Sequence, residues 1–360
     1  LVLVRSTAKR DLVSAMAWLT IPGLIGPLVG PPVGGFVTTF FSWHWIFLIN
    51  VPIGIAGIVL SGRFLPDIAP AGVKPIDWPG FFLSALAASG IVFGLSVVSI
   101  PALPPAVGLI VLLIGLGASL LYARHARLAA NPILDLTLFR NPVFRAAITG
   151  GSIYRIGAGA VPFLLPLLFQ LGFGLTPFQS GMLTFASAFG ALGLKFFASR
   201  ILRAAGFRTV LVAAAMLSGC LIAANALFTQ HTSHVAIIAV LVAAGFLRSL
   251  FFTSSNALVF AEIDEKESSQ ATAISAAMQQ ITMAIGVAVG GGILEGSYYL
   301  TGEPTGQSAF SAAFVIVGTI SALAMVPFLS LHANAGAAVS GHRARLADGN
   351  AKPRSWDGQG

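Results

Sequence analysis

The sequence predicts an all-helical protein that crosses a membrane about ten times. Only 9% of the 360 residues are charged and 56% are apolar, whereas about 25% of the residues in a typical soluble domain are charged. The apolar residues are gathered into runs of about 20, the length that a helix needs to cross the hydrocarbon core of a bilayer. The basic residues between the runs occur only in every second loop. Together these observations favour an integral membrane protein and exclude an ordinary soluble domain.

Ten segments are long and apolar enough to be spans, and short polar or proline-rich stretches separate them. The predicted spans are 12–37, 45–64, 80–100, 103–123, 146–171, 180–199, 209–229, 235–260, 271–294 and 309–331. Since span ends read from a sequence are accurate only to about 2–4 residues, the number and order of the spans carry the prediction.

The positive charges predict the side on which each loop lies. If the N-terminus is cytoplasmic, the loops on the opposite side contain no Lys or Arg. An excess of Lys and Arg is typical of cytoplasmic loops, so we predict that both ends of the chain are cytoplasmic. The basic residues on this side are Arg5, Lys9, Arg10, Arg63, Lys74, Arg124, Arg127, Arg140, Arg145, Arg200, Arg203, Arg208, Lys266, Arg343, Arg345, Lys352 and Arg354.

A stretch rich in glycine and proline lies within the first predicted span. Gly26, Gly30 and Gly34 are four residues apart, so a helix places them on one face. In lipid, helices associate through the close packing of small residues. We therefore predict that this face packs tightly against a neighbouring helix.

The same stretch resembles the antiporter motif in the fifth span of the major facilitator superfamily. The pattern is G-x3-G-P-x2-G-G, and its residues are Gly26, Gly30, Pro31, Gly34 and Gly35. The next segment, "SWHWIFLINVPIG" (42–54), is similar to the start of the sixth span in the fourteen-span drug:proton antiporter subfamily. Further matches are "DWPG" (77–80), "NPILDLTLFRNPVFR" (131–145), "TPFQSG" (176–181) and "AIGVAVGGGIL" (284–294).

This resemblance implies a division of the chain into four parts. Residues 1–64 would complete an N-terminal helical bundle, 65–145 would be a linker with two extra spans, 146–332 would form a C-terminal six-helix bundle, and 333–360 would be a disordered cytoplasmic tail. The ten spans would correspond to the last ten of fourteen. We therefore expect about four spans, and with them the acidic residue for proton coupling, to be missing at the N-terminus or to come from a partner.

Three basic residues lie inside the predicted spans: Arg155, Lys195 and Arg248. A cation in the middle of a membrane costs at least about 2.5–3.5 kcal/mol on insertion scales, so it needs a partner or a watery cavity. No Asp or Glu lies deep in any predicted span. The partner would therefore be an acid of the missing spans or an anionic substrate. Lys195 lies close enough to the cytoplasmic end of its span to reach the membrane surface instead.

Three amides complete the predicted substrate and coupling site. Gln170, Asn256 and Gln279 lie within or near spans, where they either line a cavity or form hydrogen bonds between helices. No zinc-ligand pattern and no phosphate-binding loop is present in the sequence. We therefore predict no enzyme and no cofactor, with a proton gradient as the energy source.

The predicted partners are the lipid bilayer and a small-molecule substrate. The net charge of +8 does not indicate nucleic acid here, because the positive charges follow the sides of the membrane. Three functions stay open. The first is proton-coupled efflux of drugs or other small organic molecules across a bacterial inner membrane. The second is export of an anionic metabolite bound by the three cations, and the third is a membrane fragment that transports nothing.

Overall fold

The computed structural model describes residues 30–64, 77–98, 104–264, 267–301, 306–340 and 342. Most of these residues are helical, and no strand occurs within the described ranges. Eight of the helical segments are long and apolar enough to cross a membrane. The predicted all-α membrane fold is therefore confirmed for this part of the chain.

The helices follow one another with short connections. They are α1 (30–40), α2 (His44–Leu48), α3 (Asn50–Phe64), α4 (Trp78–Val98), α5 (Pro105–Leu128), α6 (Pro142–Leu167), α7 (Pro177–Lys195), α8 (Ala198–Ala224), α9 (His234–Val259), α10 (Ser268–Thr301), α11 (Gln307–Leu323), α12 (Met325–Leu329) and α13 (Ala337–Ser340). A π-helical turn, Leu168–Gly172, continues α6, and 3-10 turns cover Leu136–Arg140 and Asn225–Leu227.

Two of the ten predicted spans are not among these eight. The span at 12–37 lies mostly outside the described residues. The span at 180–199 forms helix α7, which is 19 residues long but contains several polar side chains, Gln179, Ser180, Thr184 and Ser187 among them. Helix α7 packs against α9 inside the bundle, so its polar side faces protein and the helix can be less apolar than one surrounded by lipid.

Side-chain caps define where several of these helices begin. Asn141 precedes α6, and its side chain accepts hydrogen bonds from the backbone N–H groups of Val143 and Phe144. Thr176 forms a capping box with Gln179 at the start of α7. Such caps satisfy N–H groups that have no partner within the helix. A proline follows each of these two caps, where its missing N–H costs nothing.

Helices α6 to α12 share one apolar core. This core extends from Leu138 to Ala335 and includes aromatic side chains from three helices. The rings of Tyr154 and Phe251 stack with centroids 3.8 Å apart, and the ring of Phe328 lies 5.8 Å from that of Phe251. In contrast, α2 and α3 bury no residue within the described part of the chain.

Helices α4 and α5 form a tightly packed hairpin. A Cβ added at Gly90 would lie 2.6 Å from the Cα of Gly115, so the two backbones nearly touch there. Asp77 directly precedes α4, and its Oδ1 accepts a hydrogen bond from the N–H of Gly80 at 3.0 Å. The same oxygen lies 2.7 Å from Nε2 of His125, near the end of α5. These hydrogen bonds hold the pKa of Asp77 below its usual value, the one from Gly80 most of all. Helix α4 also packs against α10.

The chain after the last span packs against the bundle beyond residue 333. Ala335 is 6% exposed, and Gly336 has a φ of 66°, a conformation that glycine adopts readily. The turn at Gly336 leads into α13, which packs against α8. His342 then lies with its Nδ1 2.9 Å from the carbonyl oxygen of Arg203. Residues 333–340 and 342 are thus placed against the bundle, 343–360 lie outside the described residues, and the disordered tail stays a prediction.

Candidate functional site

A cavity of about 570 Å³ lies among α6, α7, α8 and α9, with one residue of α1 at its edge. Its walls are mainly apolar, and its charged residues are Lys195 and Arg248. No Asp or Glu lines it in the part of the chain that the structure describes. The lining residues are Pro31, Ala158, Val161, Pro162, Leu165, Pro166, Thr184, Phe185, Ser187, Ala188, Ala191, Leu192, Lys195, Ser218, Ile222, Asn225, Leu241, Ala244, Gly245, Arg248 and Ser249.

The helices around the cavity have unusual backbones. Pro162 and Pro166 lie inside α6 and both line the cavity, and each removes one backbone hydrogen bond. The π-helical turn follows directly, and such turns are frequent at functional sites. Beside the cavity, α7 and α9 touch backbone to backbone, because a Cβ at Gly190 or Gly245 would collide with a carbonyl oxygen of the other helix.

Arg248 is the cation of α9 in the cavity wall. Its side chain is half-buried and has no hydrogen bond or ion pair within the described residues. Lys195 is the last residue of α7 and is exposed, which agrees with a position near the end of a span. The cavity wall is therefore electropositive, and Arg248 is the charge in it that lies away from a helix end.

The other polar groups of the wall differ in their hydrogen bonds. Ser218 is 1% exposed and shares a hydrogen bond of 2.6 Å with the hydroxyl of Tyr154. Asn225 is equally buried and donates to the carbonyl oxygen of Ile222 at 3.0 Å. Its Oδ1 has no partner among the described residues. A buried acceptor without a partner is costly, and this atom is enclosed by the protein in the structure.

Arg155 lies outside the cavity. It is 5% exposed and is absent from the cavity lining. Its Nη2 donates to Oδ1 of Asn256 on α9 at 2.9 Å, and its guanidinium lies 5.3 Å from the centroid of the Phe252 ring. A Cβ at Gly151 would lie 2.7 Å from Nη1 of Arg155, so the side chain runs back over Gly151. Side chains on a helix lean towards its N-terminus, whereas the cavity lies on the C-terminal side of Arg155.

The six predicted substrate and coupling residues are thus spread over the structure. Lys195 and Arg248 line the cavity, and Arg155 and Asn256 contact each other outside it. Gln170 lies half-buried in the π-helical turn. Gln279 donates to the hydroxyl of Ser275 on its own helix at 3.2 Å. Neither glutamine lines the cavity.

The glycine motif contacts a neighbouring helix through Gly35, which is not one of the three glycines of the predicted packing face. Gly26 lies outside the described residues, and a Cβ at Gly30 or Gly34 would meet nothing within 4 Å in the described part of the chain. A Cβ at Gly35, however, would lie 2.6 Å from the carbonyl oxygen of Pro177 on α7. The reason is that α7 approaches α1 on the side of Gly35. Gly35 follows Gly34 in the chain, so it points about 100° away from Gly34 around the helix axis.

Further contacts hold α1 against the start of α7. A Cβ at Gly181 would lie 2.5 Å from the carbonyl oxygen of Pro31. The N–H of Phe178 donates to Oγ1 of Thr39 at 3.1 Å, and the ring of Phe178 lies 6.2 Å from that of Phe36. The two helices therefore meet where Gly35 of α1 lies against Pro177 and Gly181 of α7 lies against Pro31, with aromatic rings beside these contacts.

Sequence reasoning missed several residues of the site. Thr184, Ser187 and Ser218 in the cavity wall are small and carry no charge, so nothing in the sequence separates them from packing residues. Gly181 gave a signal, because it ends the segment "TPFQSG" that carries part of the family resemblance. Its contact with Pro31 links two segments that the sequence alone does not bring together.

The comparison with known proteins decides the family. The sequence matches the Major Facilitator Superfamily over residues 1–122 and 147–356. The chain belongs to this superfamily. Its members are transporters rather than enzymes, so this chain is a multi-pass membrane protein of a transporter family. The stretch between the two matched segments, 123–146, covers the end of α5 and the loop to α6.

Curated relatives from several bacteria align over most of the chain. One is "Probable transport protein HsrA" of Haemophilus influenzae, 34% identical over 338 residues, which are 93% of this chain and 73% of that protein. Another is "Putative multidrug resistance protein MdtD" of Yersinia enterocolitica, 30% identical over 93% of this chain and 72% of that protein. The protein of the same name from Serratia proteamaculans is 30% identical over 93% of this chain and 70% of that protein.

Proposed function

We propose that the protein exports drugs or other small organic molecules and that a proton gradient drives the export, as in the fourteen-span drug:proton antiporters that it resembles. The observation that carries this proposal is the mainly apolar cavity of about 570 Å³ within the bundle. Ligand sites of this size and character suit small organic molecules. The printed names of the MdtD relatives refer to multidrug resistance, which supports the same substrate class.

The mechanism would be alternating access between two helical bundles. In this proposal α1 to α3 belong to the N-terminal bundle, α4 and α5 are the linker spans, and α6 to α12 form the C-terminal bundle. The contacts of Gly35 with Pro177 and of Gly181 with Pro31 would then join the two bundles beside the cavity. Small residues at these contacts let the two backbones meet closely, so the contacts would close one side of the cavity.

Proton coupling is tested with the complete protein in everted membrane vesicles. We expect uptake of a fluorescent cationic dye when a proton gradient is present and loss of that uptake when an ionophore dissipates the gradient. Dye uptake that is unchanged by the ionophore would contradict proton coupling. Expression of residues 1–360 alone tests the further alternative of a fragment that transports nothing.

The contact between α1 and α7 is tested by a matched pair of glycine substitutions. Gly35→Leu places its side chain against the backbone at Pro177, so we expect it to abolish dye uptake. Gly30→Leu has free space among the described residues and should retain most of the activity. Equal activity of the two variants, at equal amounts in the membrane, would show that this close approach is not needed for transport.

The proposed membrane is the bacterial inner membrane, with both chain ends in the cytoplasm. Single cysteines test this orientation in a variant whose one native cysteine, Cys220, is replaced by serine. Cysteine at Thr232 should react with an impermeant thiol reagent from outside intact cells. Cysteine at Ala204 should react only after the membrane is permeabilised, and the reverse pattern would overturn the orientation.

Export of an anionic metabolite is the second candidate function. It is favoured by a specific observation, the presence of Arg248 and Lys195 and of no carboxylate in the described cavity wall. An arginine fork pairs readily with a carboxylate, so an organic acid suits Arg248.

Transport assays with the two classes of substrate separate the two candidate functions. If an anion is exported, a panel of radiolabelled hydroxy acids should be transported, Arg248→Gln should abolish that flux, and the cationic dye should not be transported. If drugs are exported, the dye should be transported and the acids should not.

A further inference from the structure

A second cavity, of about 320 Å³, lies at the opposite end of α6 from its π-helical turn. The first turns of α6 and the residues at and after the end of α12 form its walls. Its polar side chains are Arg145 and Thr149 from α6, and Ser330 and His332 after α12. Pro142 begins one membrane span and Leu329 ends another. The cavity therefore lies where the hydrocarbon core meets the lipid headgroups.

The charge of this cavity is positive. Arg145 is exposed and forms no ion pair with any described residue. No Asp or Glu lines the cavity in the described part of the chain. The hydroxyls of Thr149 and Ser330 donate to carbonyl oxygens of their own helices, at 2.7 Å and 2.8 Å. Their oxygen atoms remain available as acceptors, so the cavity offers a guanidinium for an anion and hydroxyl oxygens for donors.

An exposed apolar strip begins next to the cavity. Leu323, Val326 and Leu329 are 51%, 53% and 46% exposed and are spaced three residues apart along the end of the last span. Val326 and Leu329 both belong to α12 and share one side of it, and Leu323 is the last residue of α11, two residues before α12 begins. A molecule seated in the cavity can therefore extend a hydrocarbon chain along this strip. Soluble phosphate would use the charged cavity but not the strip.

From these contacts we infer that the second cavity binds the headgroup of an anionic phospholipid that carries hydroxyl groups, such as phosphatidylglycerol. The phosphate lies against Arg145, the headgroup hydroxyls donate to Ser330, and an acyl chain follows the strip from Leu329 to Leu323. Basic pockets between membrane helices bind anionic headgroups in this way. The lipid connects the first and last helices of the bundle, and its binding stabilises both ends.

The test measures thermal unfolding of the complete protein in phosphatidylcholine micelles as phosphatidylglycerol is added. We expect the midpoint temperature to rise with phosphatidylglycerol. Arg145→Gln should weaken the apparent affinity about fivefold, since one basic residue at a membrane surface contributes about 1 kcal/mol. Arg145→Lys should keep most of the effect because the charge is kept. Because Arg145 is exposed, these substitutions leave the core intact.

The matched control is Arg140→Gln. Arg140 is an exposed arginine five residues earlier that does not line the cavity, so its loss should leave the affinity unchanged. Equal weakening by Arg140→Gln and Arg145→Gln would indicate a diffuse surface charge and would overturn the site. An equal rise in midpoint temperature with inorganic phosphate or glycerol phosphate would show a soluble anion site and would overturn the assignment to lipid.

Discussion

Arg155 and Arg248 resemble each other in the sequence and differ in the structure. Each lies well inside an apolar span, without an acidic residue nearby in its own helix. Arg155 is 5% exposed and donates to Asn256, with the Phe252 ring beside it. Arg248 lines the large cavity and has no hydrogen-bond partner among the described residues. A membrane protein thus accommodates a cation either with neutral groups of its own or beside a cavity, and only the second arrangement leaves the charge for a substrate.

The largest expected difference between the two arginines is in transport. Arg248→Ala should lower flux by about tenfold or more, because a charge-assisted hydrogen bond to substrate is worth about 1.5–3 kcal/mol. Arg155→Ala should change flux by less than about threefold per folded molecule. Flux in vesicles is measured with radiolabelled acids and with a cationic dye, and the amount of folded protein is measured by size-exclusion chromatography.

This experiment also tests the prediction that Arg155 faces a substrate or a coupling acid. If Arg155→Ala folds normally and still loses transport, that prediction stands, and the distinction drawn from the two environments fails. Arg155→Lys sharpens the result, because lysine keeps the charge and loses the planar fork. Retained flux in Arg155→Lys would then assign the function to the charge alone.

The next largest effect concerns stability. Asn256→Ala would leave the Arg155 guanidinium without its acceptor, which should lower the free energy of unfolding by about 1–3 kcal/mol. A double-mutant cycle with Arg155→Ala should give a coupling of about 0.5–1.5 kcal/mol, the size found for hydrogen bonds between membrane helices. The measurement is reversible unfolding in mixed micelles. A coupling of zero would mean that the 2.9 Å hydrogen bond adds nothing to stability.

A smaller effect is expected at Gly151. A Cβ there would lie 2.7 Å from Nη1 of Arg155 and 3.0 Å from the hydroxyl of Ser255, so Gly151→Ala must displace the guanidinium. We expect a net loss of up to about 1 kcal/mol. The matched control is Gly117→Ala, which has nothing within 4 Å and should gain about 0.5–1 kcal/mol from helix propensity. Two gains of equal size would contradict the tight packing around Arg155.

The smallest effect should come from the aromatic ring. Phe252→Leu keeps an apolar side chain and removes the π-face beside Arg155, so we expect a loss of about 0.5–1 kcal/mol. The same substitution at Phe246, which lies on the same helix and has no such cation contact among the described residues, is the control for loss of aromatic packing. A loss no larger than that at Phe246 would assign the effect to packing.

The sequence was sufficient for the helical membrane fold because span length and apolarity are set by the bilayer. Hydrophobic runs predicted the eight spans. The packing of 333–340 against the bundle depends on the turn at Gly336 and on burial of Ala335. Alanine and glycine in a polar tail give no signal of such packing.

The site was harder to predict because side-chain direction is decided by neighbours that are far away in the sequence. The cations were found because a charge in an apolar span is conspicuous. The direction of the Arg155 side chain depends on two neighbours: Gly151, whose missing Cβ leaves space for the guanidinium, and Asn256, whose Oδ1 accepts its hydrogen bond. Likewise, Gly35 is the motif glycine that contacts α7, because Pro177 approaches α1 on that side. The four-residue spacing of Gly26, Gly30 and Gly34 does not indicate this contact.

The glycine-packed hairpin of α4 and α5 has a consequence for the order of assembly during synthesis. Gly90 meets Gly115 within one short stretch of chain, whereas α1 must wait for α7 and α6 must wait for α10 before their contacts exist. Contacts between segments close in sequence form first, since little chain entropy is lost in closing them. The hairpin can therefore assemble in the bilayer while the ribosome is still producing the bundle against which α4 later packs.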